Sequence, residues 1–236
     1  MKLEIWSDGG KSLSRHQGLK DLSNILAECL IPGTALEAVW NKINNTLYVY
    51  EVTYQGIDES RLVVNENPTP DTEGKPLRLD QVPRETGDRM LEEGNVAQID
   101  LTNNIPFYDP LIAAAGDDKT LRLPPDDWAL EFKAKGDRIL VFAQPTEGYL
   151  AMDLRRVPYE VRTKIRAKIV SKIAHKHIKS VPTAEFNFPR AFEEWKEYSC
   201  AAGVVAKLRN SYYLPTDRDH TTKAWRELIF GTVRQT

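Results

Sequence analysis

Cysteine is scarce in this chain: Cys29 and Cys200 are the only two among 236 residues. So distant a pair suits neither a disulfide framework nor a zinc site, and both are expected to be buried, unbridged thiols. No run approaches the ~20 apolar residues that a membrane-spanning helix needs. The opening residues, Met1-Lys2-Leu3-Glu4-Ile5-Trp6, give way to Ser7-Asp8-Gly9-Gly10 before a secretory core can form, so a cytoplasmic site of synthesis is expected. An excess of one charge is missing too. The 32 Lys and Arg against 34 Asp and Glu leave a formal charge of -2, which excludes a nucleic-acid coat or an acidic tail as a global explanation. Internal repeats and low-complexity tracts are absent.

Catalytic patterns are equally sparse. Gly9-Gly10-Lys11-Ser12 ends like a phosphate-binding loop, but Ile5 stands where the first glycine is required. Glu4 to Gly9 is faintly similar to the first strand of ribonuclease-H-like nucleases, with Asp8 at the metal-binding place, yet one carboxylate does not make a metal site. His175 and His177 stand two apart, which on a helix turns them about 200° from one another. His16 and His220 have no partner at motif spacing, and no serine sits in a Gly-x-Ser-x-Gly elbow. The pairs Asp117-Asp118, Asp126-Asp127 and Glu193-Glu194 are adjacent, so their spacing defines no acid and base. No catalytic, cofactor-binding or metal-binding residue is assigned, no cofactor is expected, and the chain reads as a non-enzyme.

What is present is periodicity. Leu19, Leu22, Ile25, Leu26 and Cys29 recur at three and four and predict an amphipathic helix that stops at Ile31-Pro32-Gly33. Leu36, Val39, Trp40 and Ile43 predict a second short helix capped by Thr34, with Glu37 at the capping-box position. Thr46 to Tyr54 is dense in β-branched and aromatic residues and predicts a strand; Arg61 to Val64 predicts another. From Asn65 to Asn95 four prolines and three glycines predict a long loop, or an arm that orders against a neighbour. Short strands are expected at Val96 to Leu101, Thr120 to Leu123 and Asp137 to Ala143. Pro158 opens the strongest predicted helix, with Val161, Ile165, Ile169 and Ile173 in line as far as Ile178. A last long helix is expected from Pro189 to Asn210, burying Phe192, Trp195, Ala202, Val205 and Leu208 against that line. Trp225, Leu228, Ile229 and Phe230 in the tail are expected to dock.

This order predicts an α+β chain: an antiparallel helical bundle formed by N-terminal and C-terminal helices, with a strand-rich central insertion. Its parts are a helical hairpin (1–45), a strand-rich middle (46–150) with the proline-rich arm (65–95), a long helix pair (151–213) and a docking tail (214–236).

Cations concentrate in one place. Arg155, Arg156, Arg162, Lys164, Arg166, Lys168, Lys172, Lys176 and Lys179 oppose only Glu160 within that span. Two readings stay open: a solvated face whose counter-charges come from Glu193, Glu194 and Glu197, or a surface held against phosphates or an acidic partner. Arg155, Arg156, Arg162, Arg166, Lys168, Lys172 and Lys176 are the candidate assembly or DNA-facing residues.

Leu121-Arg122-Leu123-Pro124-Pro125-Asp126-Asp127-Trp128, the strand at 138–142, Val157-Pro158 and the Val161-Arg162, Ile165, Ile169, Ala174 pattern resemble the tail tubular protein A, or head-to-tail adaptor (connector), family of short-tailed bacteriophages. Leu22 to Glu28 with Ile31-Pro32-Gly33 is similar to that family's first helix and proline turn, and Phe192 to Tyr213 to its closing helix. The segment from Thr46 to Ala115 departs from the family pattern. The resemblance implies a non-enzymatic virion protein of the tail or neck, assembled in the host cytoplasm. Its subunits would form a homo-oligomeric, dodecameric ring between portal protein and tail nozzle, around the DNA used in genome ejection, with no small-molecule substrate. The alternative is a nucleic-acid-binding or nuclease-like protein using the basic 155–179 helix or Asp8.

Overall fold

The computed structural model describes residues 2–7, 17–57, 96–99, 111–144, 149–214 and 221–231. These residues build two β-sheets with three helices packed on them, so the expected helical bundle is corrected. Asp8, Gly9 to Ser12, His16, the strand expected at 61–64, the arm at 65–95 and His220 lie outside the described residues.

The first sheet has seven strands: β1 (Lys2–Ser7), β2 (Ala35–Asn41), β3 (Thr46–Gly56), β4 (Val96–Ile99), β7 (Asp137–Gln144), β8 (Tyr149–Asp153) and β9 (Ile178–Ser180). Its order is β1-β7-β2-β3-β8-β4, with β9 also on β3. The second sheet has five: β5 (Ile112–Ala115), β6 (Trp128–Ala134), β10 (Thr183–Ala184), β11 (Ala201–Leu208) and β12 (Thr221–Ile229), in the order β10-β6-β11-β12-β5. Lys135 and Gly136 carry the chain from β6 in one sheet to β7 in the other. Gly136 has φ +148°, and a Cβ there would stand 2.2 Å from the Trp40 carbonyl oxygen, so the crossing needs glycine.

Helix α1 (Gln17–Cys29) forms where the leucine stripe predicts it and buries Leu19, Leu22 and Leu26. Cys29 is exposed and Cys200 half-buried, which corrects the expected pair of buried thiols. The second predicted helix is instead strand β2. Leu36, Ala38 and Trp40 alternate into the core, and Ile43, assigned to a helix face, is 95% exposed in the turn. Thr120 to Leu123, expected as a strand, lies mostly in a 3-10 turn (Asp118–Arg122) with Asp117 as its cap.

Helix α2 (Tyr159–Ile173) follows Pro158 and ends sooner than predicted. Ala174 turns into the left-handed region at φ 49° and its N–H donates to Val170 O, a helix stop. The long closing helix does not form. Helix α3 (Phe188–Lys196) stops after one apolar stripe, and Ala201–Leu208 is strand β11. Nor do α2 and α3 share the predicted interface. Ile165 and Ile173 pack with α1 leucines and the first sheet, whereas Phe192 and Trp195 pack with Leu130, Phe132 and Val204 of the second. The tail docks on its own chain: Trp225 and Leu228 are buried in β12.

Candidate functional site

Strand β3 carries two bulges against β2, where Tyr50 and Thr53 are the unmatched residues. Bulges re-aim side chains, and here the register sets Glu37 directly opposite Glu51. Two like charges side by side on neighbouring strands repel unless cations intervene. On its other edge β3 pairs with β9 through Leu47–Val49 and with β8 through Tyr54–Gly56, so 50–53 has no strand there among the described residues. Arginines from α2 occupy that gap.

Arg162 grips Glu51 with two parallel bonds, Nε to Oε1 at 2.9 Å and Nη2 to Oε2 at 3.1 Å. Its Nη1 donates to the carbonyls of Val157 and Ser211. Arg166 donates to the Tyr50 carbonyl and to Glu131 of β6, and reaches Ser180 and Thr183 hydroxyls with its remaining nitrogens. The two guanidiniums are 0% and 2% exposed. Lys207 of β11 closes the group, 2.7 Å from Glu131 and 3.8 Å from Glu51, with its ammonium 4.0 Å from the Trp225 ring centroid. Glu37 accepts from the phenols of Tyr50 and Tyr213 and from Arg138 Nη2.

Both sheets and α2 thus meet on one buried network. Its charges are stabilised because each is bonded more than once; an ion taken out of water with a single partner would cost several kcal/mol, roughly. Burial pushes the Glu131 carboxyl upward, but Arg166 and Lys207 outweigh it and hold it below its ordinary value. Burial, reinforced by Glu37, raises the Tyr50 phenol well above its usual range, and burial with Glu131 does the same for Tyr159. Burial works against the Arg166 charge, yet Glu131 more than offsets it and keeps that guanidinium firmly ionised. The carboxylates each accept several donors, and burial keeps the Tyr50 and Tyr159 phenols protonated near pH 7, so the network holds fixed charges in place.

Beside this network a cleft of about 460 Å³ opens between the sheets, with Glu131, Arg138 and Lys207 among its lining.

These positions revise the candidate basic surface. Arg162 and Arg166 are interior residues and are corrected: neither is available to DNA or to a partner. Arg155 makes a bidentate pair with Asp153, both bonds 2.9 Å, and stands 4.8 Å from the Tyr54 ring centroid. Arg156, Lys168, Lys172 and Lys176 are exposed, as are Lys164 and Lys179. The acidic side chains expected to neutralise them do not: Glu194 pairs with Arg190 and Glu193 with Lys196, both within α3. Lys164, Lys172, Lys176 and Lys179 have no carboxylate partner among the described residues.

His177 N–H donates to His175 Nδ1, and the ring centroids are 5.7 Å apart. Among the described residues no group of three His, Cys, Asp or Glu could hold a metal ion, and no helix is long and apolar enough to cross a membrane. Glu37, Glu51, Glu131 and Lys207 are site residues, and no motif in the sequence singles them out as such. The available signal was a charge inside an apolar strand, as in Tyr-Glu51-Val, Leu-Glu131-Phe and Ala-Lys207-Leu. Comparison of the chain with protein-family models, with curated proteins and with solved structures finds no match.

Proposed function

We propose that the chain is a non-enzymatic structural subunit, as the resemblance to head-to-tail adaptors implies, and that it offers a row of exposed lysines to an anionic partner. The observation that carries this reading is the spacing of Lys164, Lys168 and Lys172 along the exposed side of α2. Four residues advance a helix by about 6 Å, so three ammonium groups lie in sequence along roughly 12 Å of one face. Isolated surface charges add about 0–1 kcal/mol at most to stability, so folding gives little reason to gather cations on this face. Repetition around a ring multiplies a weak attraction to DNA in a channel, or to an acidic portal surface.

Two further features support the adaptor reading: α1 ends in the Ile31-Pro32-Gly33 turn, and Pro158 opens α2. The part drawn from 192–213 falls away, because that segment is not a helix beyond Lys196. The same lysine row also suits a DNA-binding module that works outside any ring.

The test is electron microscopy of the purified protein, alone and with portal, together with DNA binding by fluorescence anisotropy over a salt series. Rings should form. Replacing Lys164, Lys168 and Lys172 together with glutamine should lower the salt slope by about 2–3, near 0.9 for each lost phosphate contact. DNA binding without rings would favour the free module; an unchanged slope and normal joining to portal would remove the lysine row from the function.

A further inference from the structure

Strand parity decides what faces the space between the sheets. On β6 and β11, Leu130, Phe132, Val204 and Ala206 belong to the apolar core around α3, and the alternate residues Glu131, Lys133, Val205 and Lys207 line the cleft. On the opposite sheet, Leu36, Ala38, Ile139 and Val141 pack toward α1 and α2, and Val39 and Arg138 line the cleft. At about 460 Å³ the cleft has the size of a small-molecule site, a class that spans roughly 300–1,000 Å³.

Its charge does not balance. The network contains the cations Arg138, Arg162, Arg166 and Lys207 and the carboxylates Glu37, Glu51 and Glu131, so one positive charge is left over among the described residues. Lys133 and Glu227, also on the lining, neutralise one another in an ion pair. An uncompensated charge in a partly enclosed, low-dielectric cleft attracts an anion far more strongly than one in water.

Donors are available for such an anion. Arg138 spends Nε on the Tyr50 hydroxyl at 2.6 Å and Nη2 on Glu37 and the Leu111 carbonyl, which leaves Nη1 with no partner among the described residues. Its side chain retains 26% of its exposure on the lining. Trp225 also lines the cleft and is 3% exposed, and its indole Nε1–H has no hydrogen-bond partner among the described residues. A buried donor left unpaired is destabilising, a deficit that a ligand oxygen removes.

We propose that this cleft binds a small organic monocarboxylate with an apolar body, its carboxylate held by Arg138 Nη1 and the Trp225 indole N–H. The body packs on Val39, Leu111, Ala113 and Val205. One negative charge matches the single excess positive charge. A phosphate dianion would bring its second charge against Glu131 and Glu227, and it lacks an apolar body to fill the walls.

The test uses the whole folded chain, phenylacetate and octanoate as probes, titration calorimetry, and ¹H–¹⁵N spectra in which the Trp225 indole resonance is assigned from Trp225→Phe. Saturable binding should move that resonance downfield and weaken as salt rises. Phenylethanol, the neutral counterpart of phenylacetate, should bind at least about tenfold more weakly, as should inorganic phosphate. Arg138→Gln should weaken phenylacetate about tenfold or more by the same arithmetic. Val205→Trp fills the cleft without touching a charge and should abolish binding even if Arg138→Gln fails to fold. No saturable carboxylate binding, equal affinity for the alcohol, or an unmoved Trp225 resonance overturns the proposal. So does a Trp225 shift that tracks protein concentration and self-association instead of ligand, which would assign the cleft to a second copy of the chain.

Discussion

The inner and outer faces of α2 carry the same sign of charge and have opposite fates. On one side Arg162 and Arg166 are sealed inside, bonded to Glu51, Glu131 and backbone carbonyls; on the other Lys164 and Lys172 stand in solvent without a carboxylate partner among the described residues. The difference follows side-chain chemistry. A guanidinium is flat, weakly hydrated and can spread several donors over fixed acceptors, whereas an ammonium is compact and strongly hydrated. A basic helix is therefore not one surface, and a count of its cations says nothing about where they point.

The comparison breaks most directly at Glu51. Glu51→Ala strands the buried Arg162 charge and should cost about 3–5 kcal/mol in urea unfolding, while Lys172→Gln should stay within about 0.5. Equal losses would mean that Arg162 reaches water. Replacing both partners, Glu51→Leu with Arg162→Met, should restore much of the loss, since removing a buried pair together leaves no orphan charge. The apolar side of the same helix comes next: Ile165→Ala should cost about 2–5 kcal/mol, and half-buried Ile169→Ala less. A larger loss at Ile169 would turn the helix relative to the sheet.

Acid sharpens the contrast further. Because the folded Glu131 carboxyl lies below its ordinary value, its contribution is complete above an unfolded value of about 4.3 and is lost as pH falls through the lower folded value. Stability should therefore drop from about pH 5 downward, and Glu131→Gln, though weaker throughout, should show a shallower drop. At the alkaline end the Tyr54 phenol, raised by burial and by Asp153 to about 12, binds its proton more tightly folded than unfolded, and stability should decline from about pH 10 upward. Tyr54→Phe should flatten that decline. Smallest of all is the lysine row, where Lys164→Gln, Lys168→Gln and Lys172→Gln should leave the urea midpoint almost unmoved.

Three strands of the first sheet were legible, β3, β4 and β7, and none of the second. The leucine stripe gave α1, the β-branched run gave β3, and Arg138 to Phe142 gave β7, because each satisfies one period clearly. Leu36-Glu37-Ala38-Val39-Trp40 fits two periods, and Thr34 with Glu37 imitates a helix cap, so β2 read as a helix. Ala201-Ala202-Gly203-Val204-Val205-Ala206 is small and apolar throughout, and it continued the α3 pattern without a break. Its strand state comes from pairing with β6 and β12, which lie far away in sequence. The buried network was illegible for the same reason. Glu37, Glu51, Glu131 and Lys207 sit on four strands, and no local spacing says that they meet. The sequence placed the cations of α2 correctly on a helix, but which of them faced inward depended on where two sheets would close.

The open edge of β3 at 50–53 has a consequence for how the chain is made. Glu51 and Arg162 are 111 residues apart, so as synthesis proceeds β3 exists long before the arginines that occupy its gap. Until α2 emerges, that stretch offers unsatisfied amides and an unpaired carboxylate to whatever is near. Closing so long a loop is slow, so the pairing of Glu51 with Arg162 comes late. A nascent chain cut short before Tyr159 should pair with its own copies along β3.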